Sequence, residues 1–538
     1  MPRLTLLAAA LAITFGLAST AHGQSGALPD MGSSAGELLS PAEQAEYGAY
    51  TLYQLRHFGY VLEDPLIDAW LDSIGHRLAA VSDKPDQPFT FFMMRDRQIN
   101  AFATLGGYVG VNSGLILTAQ TEDEVAGVLA HEISHVTQNH VLRNVERARK
   151  DQIPIMIAML GAIIAAQNSG SRDVYGNRNN GDAIQAAVMG AAGLAAQRQI
   201  NYTRDSEAEA DRFGIQTLYR AGYDANGMAD FFERMQRATR GNSGGYQTPS
   251  YLQTHPLTTS RLSEARERAA KLQKEGVIAP AASIGTGSSL LLPSDLMLAS
   301  GNNPTAPPMR MFDWARERLR VLSAATPQAA MKEYKALLDA AGAHASDPLR
   351  YGQSLAQLQA GYPAAAESGL QALSERHPDN LWVELSLAEC AHAASNDALA
   401  RKRYEALLSQ HHQDRPVSLS YARVLNEIGT PEAGRRAQAV LRPLLSNSTD
   451  DPLFQKTFGR ASDLAGDLPR AGEAYAEAAY LNGRAEDALN QFAALLKRGD
   501  LDYVQRARIE SRIAAITPEV LEMHRQGLKP ENQPADGG

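Results

Sequence analysis

The residues with the clearest potential for chemistry lie in one short segment, His131-Glu132-Ile133-Ser134-His135. In an α-helix, residues i and i+4 lie on the same face one turn apart, so both imidazoles can reach a single metal ion. Glu132 is offset from that face, and its carboxylate can reach a metal-bound water without occupying a coordination position. The pattern therefore predicts a zinc site that activates water, with Glu132 as the general base. The alternative is a surface helix with two solvated histidines.

A second acidic segment, residues 205–211, supplies a candidate third metal ligand, which the first segment lacks. A catalytic zinc ion takes three protein ligands and keeps its fourth position open. Glu207 is the candidate third ligand, on a separate helix. Asp211, one turn further on, can accept a hydrogen bond from a zinc-bound histidine and fix its tautomer. Glu209 is expected to face solvent, and His140 is expected to lie off the face that carries the two histidines.

The elements that must position these residues are mainly helical. The runs Phe89–Met94 and Tyr108–Val111 have strand character and are separated by a turn at Gly106-Gly107, which predicts a small antiparallel sheet. Thr121 and Glu124 form a capping-box pattern, so the helix that carries the histidines is expected to begin there.

The length of 538 residues predicts more than one domain. Arg3, an apolar run and then small residues form the pattern of a cleaved signal peptide, for which an uncleaved anchor is the alternative. The expected organisation is a signal peptide (1–23), a mobile lead-in (24–40), a zinc metallopeptidase domain (41–275), a linker (276–310), helical repeats (311–520) and a disordered tail (521–538).

Residues 311–520 are rich in Ala, Leu, Glu and Arg with helical spacing. Turn residues recur at Gly361, Asn396, Gly429 and Gly466, at intervals close to the tetratricopeptide period of about 34 residues. A tetratricopeptide-like repeat domain is expected, and a generic α-helical bundle is the alternative. The fold class is therefore mainly α: a metallopeptidase domain with a small antiparallel sheet, followed by helical repeats.

The two metal-binding segments carry a family resemblance. H-E-x-x-H followed by E-x-x-A-D resembles the HtpX and CAAX prenyl protease group of gluzincin metallopeptidases, and so does the segment Asn100–Ala103 ahead of Gly106-Gly107. The resemblance implies one zinc ion per chain, bound by His131, His135 and Glu207. It also implies Glu132 as catalytic base and Asp211 as an acid that orients a ligand or donates a proton. The strand Tyr108–Val111 is a candidate to pair with an extended substrate.

His255, in Thr254-His255-Pro256-Leu257 ahead of Arg261, also matches this group. A neutral imidazole there can complete the fourth zinc position and leave the enzyme autoinhibited. It can instead donate a hydrogen bond to the oxyanion of the transition state. A histidine that only marks a helix entry is the third possibility.

Two apolar runs, 153–167 and 183–197, lie between the metal-binding segments. Each is shorter than the roughly 20 residues that a membrane span requires. We expect a hairpin beside the active site with peripheral membrane contact, or else a buried helix pair.

Taken together, these features predict a periplasmic zinc endopeptidase with a chaperone-like role. By resemblance, its substrates are misfolded or stalled outer-membrane and envelope proteins, and its repeats contact the β-barrel assembly machinery. The alternative is a chaperone or scaffold for outer-membrane protein assembly with a mostly silent zinc site. The net charge of −9 argues against nucleic acid as a partner, and the single Cys390 excludes an internal disulfide.

Overall fold

A computed structural model describes residues 39–147, 202–240, 250–275 and 311–525. The expected signal peptide, nearly all of the lead-in, the apolar runs 153–167 and 183–197 and the linker 276–310 lie outside the described residues. In the part of the chain that is described, no helix is both long enough and apolar enough to span a bilayer.

The first part of the chain is a helical domain with one small sheet. Its elements are α1 (Pro41–His57), α2 (Pro65–Ala79), β1 (Thr90–Met94), β2 (Ala101–Ala103), a 3-10 turn (Leu105–Gly107), β3 (Tyr108–Asn112), α3 (Ser113–Thr118), α4 (Glu122–Thr137), α5 (140–147), α6 (202–220), α7 (Gly227–Arg240), α8 (Ser250–Thr254) and α9 (Thr259–Glu275).

The starts of these helices follow from their capping residues. Ser40 and Glu43 form a full capping box at α1. Thr121 caps α4 by accepting from the backbone N–H of Glu124, as the sequence predicts. The Glu124 carboxylate accepts from the backbone of Gln120 and not from Thr121, so only half of the expected box forms. Every residue of α4 from Glu124 to Ser134 is buried, so this helix runs through the centre of the domain.

The sheet is mixed, and the expectation of an antiparallel sheet is wrong. The strand order is β1-β3-β2; β1 runs parallel to β3, with Phe92 opposite Gly110, and β2 runs antiparallel to β3. The reason is β2, which has only three residues and leaves no clear alternating pattern in the sequence. It forms the hairpin with β3, so the chain reverses twice between the two longer strands and these run in the same direction.

The turn of that hairpin requires glycine. Gly106 and Gly107 have φ values of 74° and 84°, which side chains other than glycine rarely adopt. A Cβ atom on Gly106 would also lie 2.7 Å from the Cα atom of Ala45. The turn therefore packs directly beneath the backbone of α1.

The second part of the chain consists of helices that pack as successive antiparallel pairs. They are α10 (Met311–Leu322), α11 (Pro327–Ala341), α12 (Asp347–Gln359), α13 (Pro363–Arg376), α14 (Leu381–Ala393), α15 (Asp397–Gln410), α16 (Arg415–Ile428), α17 (Pro431–Leu441), α18 (Pro452–Ala465), α19 (Leu468–Leu481), α20 (Ala485–Leu495) and α21 (Tyr503–Arg525), with 3-10 turns at Gly342–His344 and Arg442–Asn447.

The capping residues of these helices repeat. Ser346, Asn380 and Asp414 each accept from the backbone at the start of a helix, and they are spaced 34 residues apart along the chain. The helical repeat is thus observed, while its tetratricopeptide class stays a prediction. The last helix, α21, continues to Arg525, so the disordered tail expected from residue 521 is wrong for residues 521–525. Val520 is buried against the preceding helices and holds this end in place.

The repeats contact the first domain through α10, α16 and α19. In α16, Arg415 lies 3.8 Å from a carboxylate oxygen of Asp68. At α10, Arg318 forms a buried ion pair with Asp64, at 2.7 Å. At α19, the ring of Tyr480 packs edge-on against that of Tyr53 in α1, with centroids 5.4 Å apart, and Arg56 donates to the carbonyl of Leu481. The repeat array therefore returns to the helix that covers the hairpin.

Candidate metal centre

The helix α4 presents His131 and His135 on one face. Their Nε2 atoms lie 3.0 Å apart, and His131 is fully buried. As the helical spacing predicts, the Nε2 atoms of His131 and His135 therefore lie close enough together to bind a single ion.

Glu207 reaches the same point from α6. Its Oε2 atom lies 3.4 Å from Nε2 of His131, and its Oε1 atom lies 3.4 Å from Nε2 of His135. His255, which follows α8, adds Nδ1 at 2.9 Å from Oε1 of Glu207. One donor atom from each of these four residues lies within 4.8 Å of the others. Three imidazole nitrogens and a carboxylate oxygen form a donor set that suits a divalent transition metal ion.

Glu132 lies beside this cluster, and its side chain is buried. Its Oε1 atom has no hydrogen-bond partner among the described residues and lies 3.6 Å from Nε2 of His255. A buried polar atom without a partner is costly unless a ligand or water completes it. The Oε1 atom of Glu132 can therefore accept a hydrogen bond from a water or a substrate group at the cluster.

Asp211 and Arg261 support the cluster from one side. Nδ1 of His131 lies 2.9 Å from Oδ1 of Asp211. Arg261 donates to both oxygens of Asp211, at 2.7 and 2.8 Å, and its Nη1 atom lies 2.8 Å from Oε2 of Glu207. The guanidinium thereby fixes both α6 carboxylates. Burial alone would raise the pKa of Asp211, but the hydrogen bonds from Arg261 and His131 hold it below its ordinary value.

The two histidines of α4 differ in their electrostatic surroundings. Burial lowers the pKa of both rings. For His131, hydrogen bonds to Asp211 and Glu207 outweigh burial and raise the pKa to about 10. For His135, burial prevails and the pKa falls to about 3. Burial would also raise the pKa of Glu207, yet its contacts with the histidines hold it far below the ordinary range.

The surroundings of His135 correct two expectations. Nδ1 of His140 lies 2.9 Å from Nδ1 of His135, so His140 contacts the ring of His135 on its side away from the donor cluster, a contact that the helical spacing did not predict. Nε2 of His140 lies 3.1 Å from Oε2 of Glu209, which is also 2.9 Å from Nη1 of Arg143. Glu209 is therefore paired and partly buried, and does not simply face solvent.

The cause of this error is a local break in the helix. Asn139 has a φ of 55° and separates α4 from α5, so the helical spacing of α4 does not extend to His140. Asparagine tolerates this left-handed conformation, which is the only hint of the break in the sequence.

A small cleft lies between His135 and the hairpin of β2 and β3. It is lined by Ala103, Thr104, Leu105, Gly106, His135, Val136, Asn139, Val141, Leu142 and, from α1, Gln44. The strand β3 is paired on both sides, so the expectation that Tyr108–Val111 pairs with substrate is wrong. Among the described strands, β2 forms the edge of the sheet on the side of this cleft.

Comparison with known proteins agrees with this geometry. Residues 65–269 match the model of peptidase family M48. The β-barrel assembly-enhancing protease of Escherichia coli strain K12 is 30% identical over 521 residues, which cover 95% of this chain and 94% of that protein. The chain belongs to peptidase family M48. The predicted resemblance to gluzincin metallopeptidases is thereby confirmed, and the chain is a metalloendopeptidase.

Other relatives match about half of the chain or most of it. A Vibrio cholerae protein is 43% identical over 242 residues, 45% of this chain and 47% of that protein. The β-barrel assembly-enhancing protease of Yersinia pestis is 28% identical over 493 residues, 90% of each chain. The predicted architecture, a mainly helical M48 domain with a small sheet followed by helical repeats, is confirmed.

Proposed function

We propose that this M48 peptidase is a periplasmic, zinc-dependent endopeptidase with a chaperone-like role in outer-membrane protein assembly. The observation that carries the proposal is the convergence of His131, His135, Glu207 and His255 on one point. The buried carboxylate of Glu132 lies beside them, and its Oε1 atom has no hydrogen-bond partner among the described residues. Similarity over nearly the whole chain to β-barrel assembly-enhancing proteases supports the setting. The signal-peptide pattern at the N-terminus supports export to the periplasm.

We propose zinc as the metal, held by His131, His135 and Glu207. A nitrogen-rich set with one carboxylate suits zinc better than magnesium or calcium, which prefer oxygen ligands. When bound, zinc would polarise the scissile carbonyl and make its water acidic enough to lose a proton near neutral pH.

The roles of the protein groups follow from their positions. Glu132 is the general base, because its free oxygen faces the cluster without occupying a metal position. Asp211 holds Nδ1 of His131 and so directs Nε2 of that ring towards the metal. The edge strand β2 and the cleft beside it are the proposed binding surface for an extended peptide, which would add a strand to the sheet.

Glutamine at position 132 tests this mechanism. Glu132→Gln keeps the size of the side chain but cannot accept the proton, so cleavage of casein or an unfolded outer-membrane barrel protein should fall by about 10²–10⁴-fold. Zinc content, measured by atomic emission, should stay at the wild-type level. A chelator should abolish wild-type cleavage and added zinc should restore it. Glu264→Gln, at an exposed position of α9, is the matched control.

Equal cleavage by the wild type and Glu132→Gln would overturn the peptidase proposal. The second candidate function, a chaperone or scaffold with a mostly silent zinc site, is favoured by the long helical array that contacts the peptidase domain at several of its helices. Helical repeat arrays form extended surfaces that bind proteins. If this second function is correct, the wild type and Glu132→Gln would suppress aggregation of an unfolded barrel protein equally, and neither would cleave it.

We propose that His255 is the fourth ligand of a closed state. Its ring stacks on Tyr251 with centroids 4.6 Å apart and lies between the other donors and Glu132. A metal with all four positions filled by protein has no place for water. His255→Ala should therefore raise the rate of casein cleavage, whereas a loss of activity would assign His255 to the oxyanion.

The remaining proposals concern partners. We propose that the helical repeats are of the tetratricopeptide class and recruit unassembled envelope proteins, or the β-barrel assembly machinery itself. Peripheral membrane contact through 153–197 is proposed from the sequence alone. Flotation of the mature protein with liposomes tests it, and failure to co-float would contradict it.

A further inference from the structure

The ring of His135 has two nitrogen atoms with separate surroundings. Its Nε2 atom faces the donor cluster, 3.4 Å from Oε1 of Glu207. Its Nδ1 atom faces the other way and lies 2.9 Å from Nδ1 of His140. A hydrogen bond between two imidazole nitrogens requires one donor and one acceptor, so only one of these two atoms carries the proton.

The order of the protons is determined by the residues behind His140. Arg143 can only donate, and Glu209 as a carboxylate can only accept, so Arg143 donates to Glu209 over 2.9 Å. Nε2 of His140, 3.1 Å from the same carboxylate oxygen, must then carry a proton and donate. In the neutral ring this leaves Nδ1 of His140 as an acceptor. His135 therefore donates from Nδ1, and its Nε2 lone pair points into the cluster.

We propose that His140 is a positioning residue of the metal centre, which holds His135 in the orientation and tautomer that a metal ion requires. Glu209 and Arg143 fix His140 in turn, and the side chain of His140 is almost fully buried. This inference rests on the proposed zinc function and deepens it, because it assigns a support to the second histidine ligand.

The two histidine ligands then have different supports. His131 contacts a carboxylate directly, through Asp211 at 2.9 Å. His135 reaches its carboxylate, Glu209, only through an imidazole. The negative charge of Glu209 is thereby kept one ring away from the cluster, where Glu132, Glu207 and Asp211 already place three carboxylates. The imidazole of His140 orients the ligand without adding a fourth carboxylate next to it.

Two variants separate this role from simple packing. His140→Leu fills a similar volume but has no acceptor for the Nδ1 proton of His135. His140→Asn keeps an acceptor, because its Oδ1 atom is bonded to Cγ as Nδ1 is in histidine. A positioning role requires the acceptor, so Asn should rescue what Leu loses. His344→Leu, at an exposed position in the repeats, is the control for the substitution itself.

The experiment uses the full chain and measures zinc affinity by competition with a chromophoric chelator. His140→Leu should bind zinc about 10- to 100-fold more weakly than the wild type, the usual effect of losing such a support. His140→Asn and His344→Leu should remain close to the wild type. In protein loaded with Co²⁺, the visible absorption bands should shift in His140→Leu only. Thermal unfolding of the metal-free proteins reports any general loss of folding.

Wild-type zinc affinity and an unshifted Co²⁺ spectrum in His140→Leu would overturn the proposal. Equal weakening in His140→Leu and His140→Asn would also overturn it, because packing and not the acceptor would then be responsible. A wild type that binds no zinc would refute the proposed zinc function itself, which separates that failure from failure of the positioning role.

Discussion

At the scale of single residues, the centre depends on one buried arginine as much as on its ligands. Arg261 contacts both oxygens of Asp211 and one oxygen of Glu207, and it also donates to the carbonyl of Pro256 at 2.9 Å. Its positive charge offsets part of the negative charge of Glu207 and Asp211, the two carboxylates that it contacts. Without this guanidinium, the side chains of Glu207 and Asp211 would not be fixed in position, and part of their negative charge would not be neutralised.

The planar fork of Arg261 leads to a specific prediction. Arg261→Lys keeps the positive charge but loses the paired hydrogen bonds to Asp211. We expect about 10- to 100-fold weaker zinc binding, because Asp211 then no longer fixes the ring of His131. Chelator competition measures this. Arg268→Lys, at an exposed position of the same helix, should bind zinc as the wild type does. Equal affinities for the two variants would show that charge alone is sufficient.

The sequence could predict which residues of α4 and α6 come together, because the spacing within each pair is a property of a single helix. His131 and His135 share a face of α4, and Glu207 and Asp211 share a face of α6, whatever surrounds them. The contacts of Arg261 and His140 depend on how separate elements approach each other. One comes from α9 and the other follows a left-handed turn at Asn139, so no local period encodes either.

At the scale of elements, the site requires α6 to approach α4 very closely. Gly214 lies on α6, on the same face as Glu207 and Asp211. A Cβ atom built there would lie 2.8 Å from the terminal methyl group of Met228, whose side chain can move. It would also lie 3.1 Å from the backbone nitrogen of His131 and 3.2 Å from the carbonyl carbon of Ala130. The missing side chain therefore sets the distance over which Glu207 reaches the two histidines.

Valine at position 214 should separate the two helices. Its methyl groups would meet the backbone of α4, which cannot move aside as a flexible side chain can. We expect a loss of about 1–3 kcal/mol in the free energy of unfolding, together with weaker zinc binding, because Glu207 is moved away from the histidines. Ala208→Val, at an exposed position of the same helix, introduces the same β-branched residue without the contact. If Gly214→Val and Ala208→Val unfold at the same urea concentration and bind zinc equally, the close approach of α6 to α4 contributes neither to stability nor to zinc binding.

The element scale also shows where sequence patterns fail. The starts of α1 and α4 could be read from their capping residues, because a cap acts within a few residues. The direction of β1 against β3 could not, because it depends on β2, whose three residues are too few to show alternation. The same short strand pairs with the edge of β3 that the sequence had suggested for substrate binding.

At the scale of the whole molecule, the repeats and the peptidase domain share a buried ion pair. Arg318 of α10 donates to both oxygens of Asp64, at 2.7 to 3.0 Å, and Asp64 also accepts from the backbone N–H groups of Leu66 and Ile67 to cap α2. Both charged side chains are almost fully buried. One carboxylate therefore joins the start of a peptidase helix to the first helix of the repeat array.

Replacing Arg318 should destabilise the protein by an amount that depends on pH. Arg318→Met leaves the charge of Asp64 buried without its partner, which costs about 3–5 kcal/mol at neutral pH. Burial alone would raise the pKa of Asp64, but the charge and hydrogen bonds of Arg318 hold it below the ordinary aspartate value. A lowered pKa in the folded state stabilises the protein at neutral pH, and this stabilisation is lost as the pH falls through that value.

The wild type should therefore lose stability on acidification while Arg318→Met, whose Asp64 protonates more readily, loses less. The gap between their urea unfolding midpoints should be widest at neutral pH and should narrow as the pH falls. Arg350→Met, at an exposed position of α12, should follow the wild type throughout. A gap of constant width would mean that Arg318 contributes packing and not charge. The coupling of the repeats to the peptidase would then be insensitive to the ionisation of Asp64.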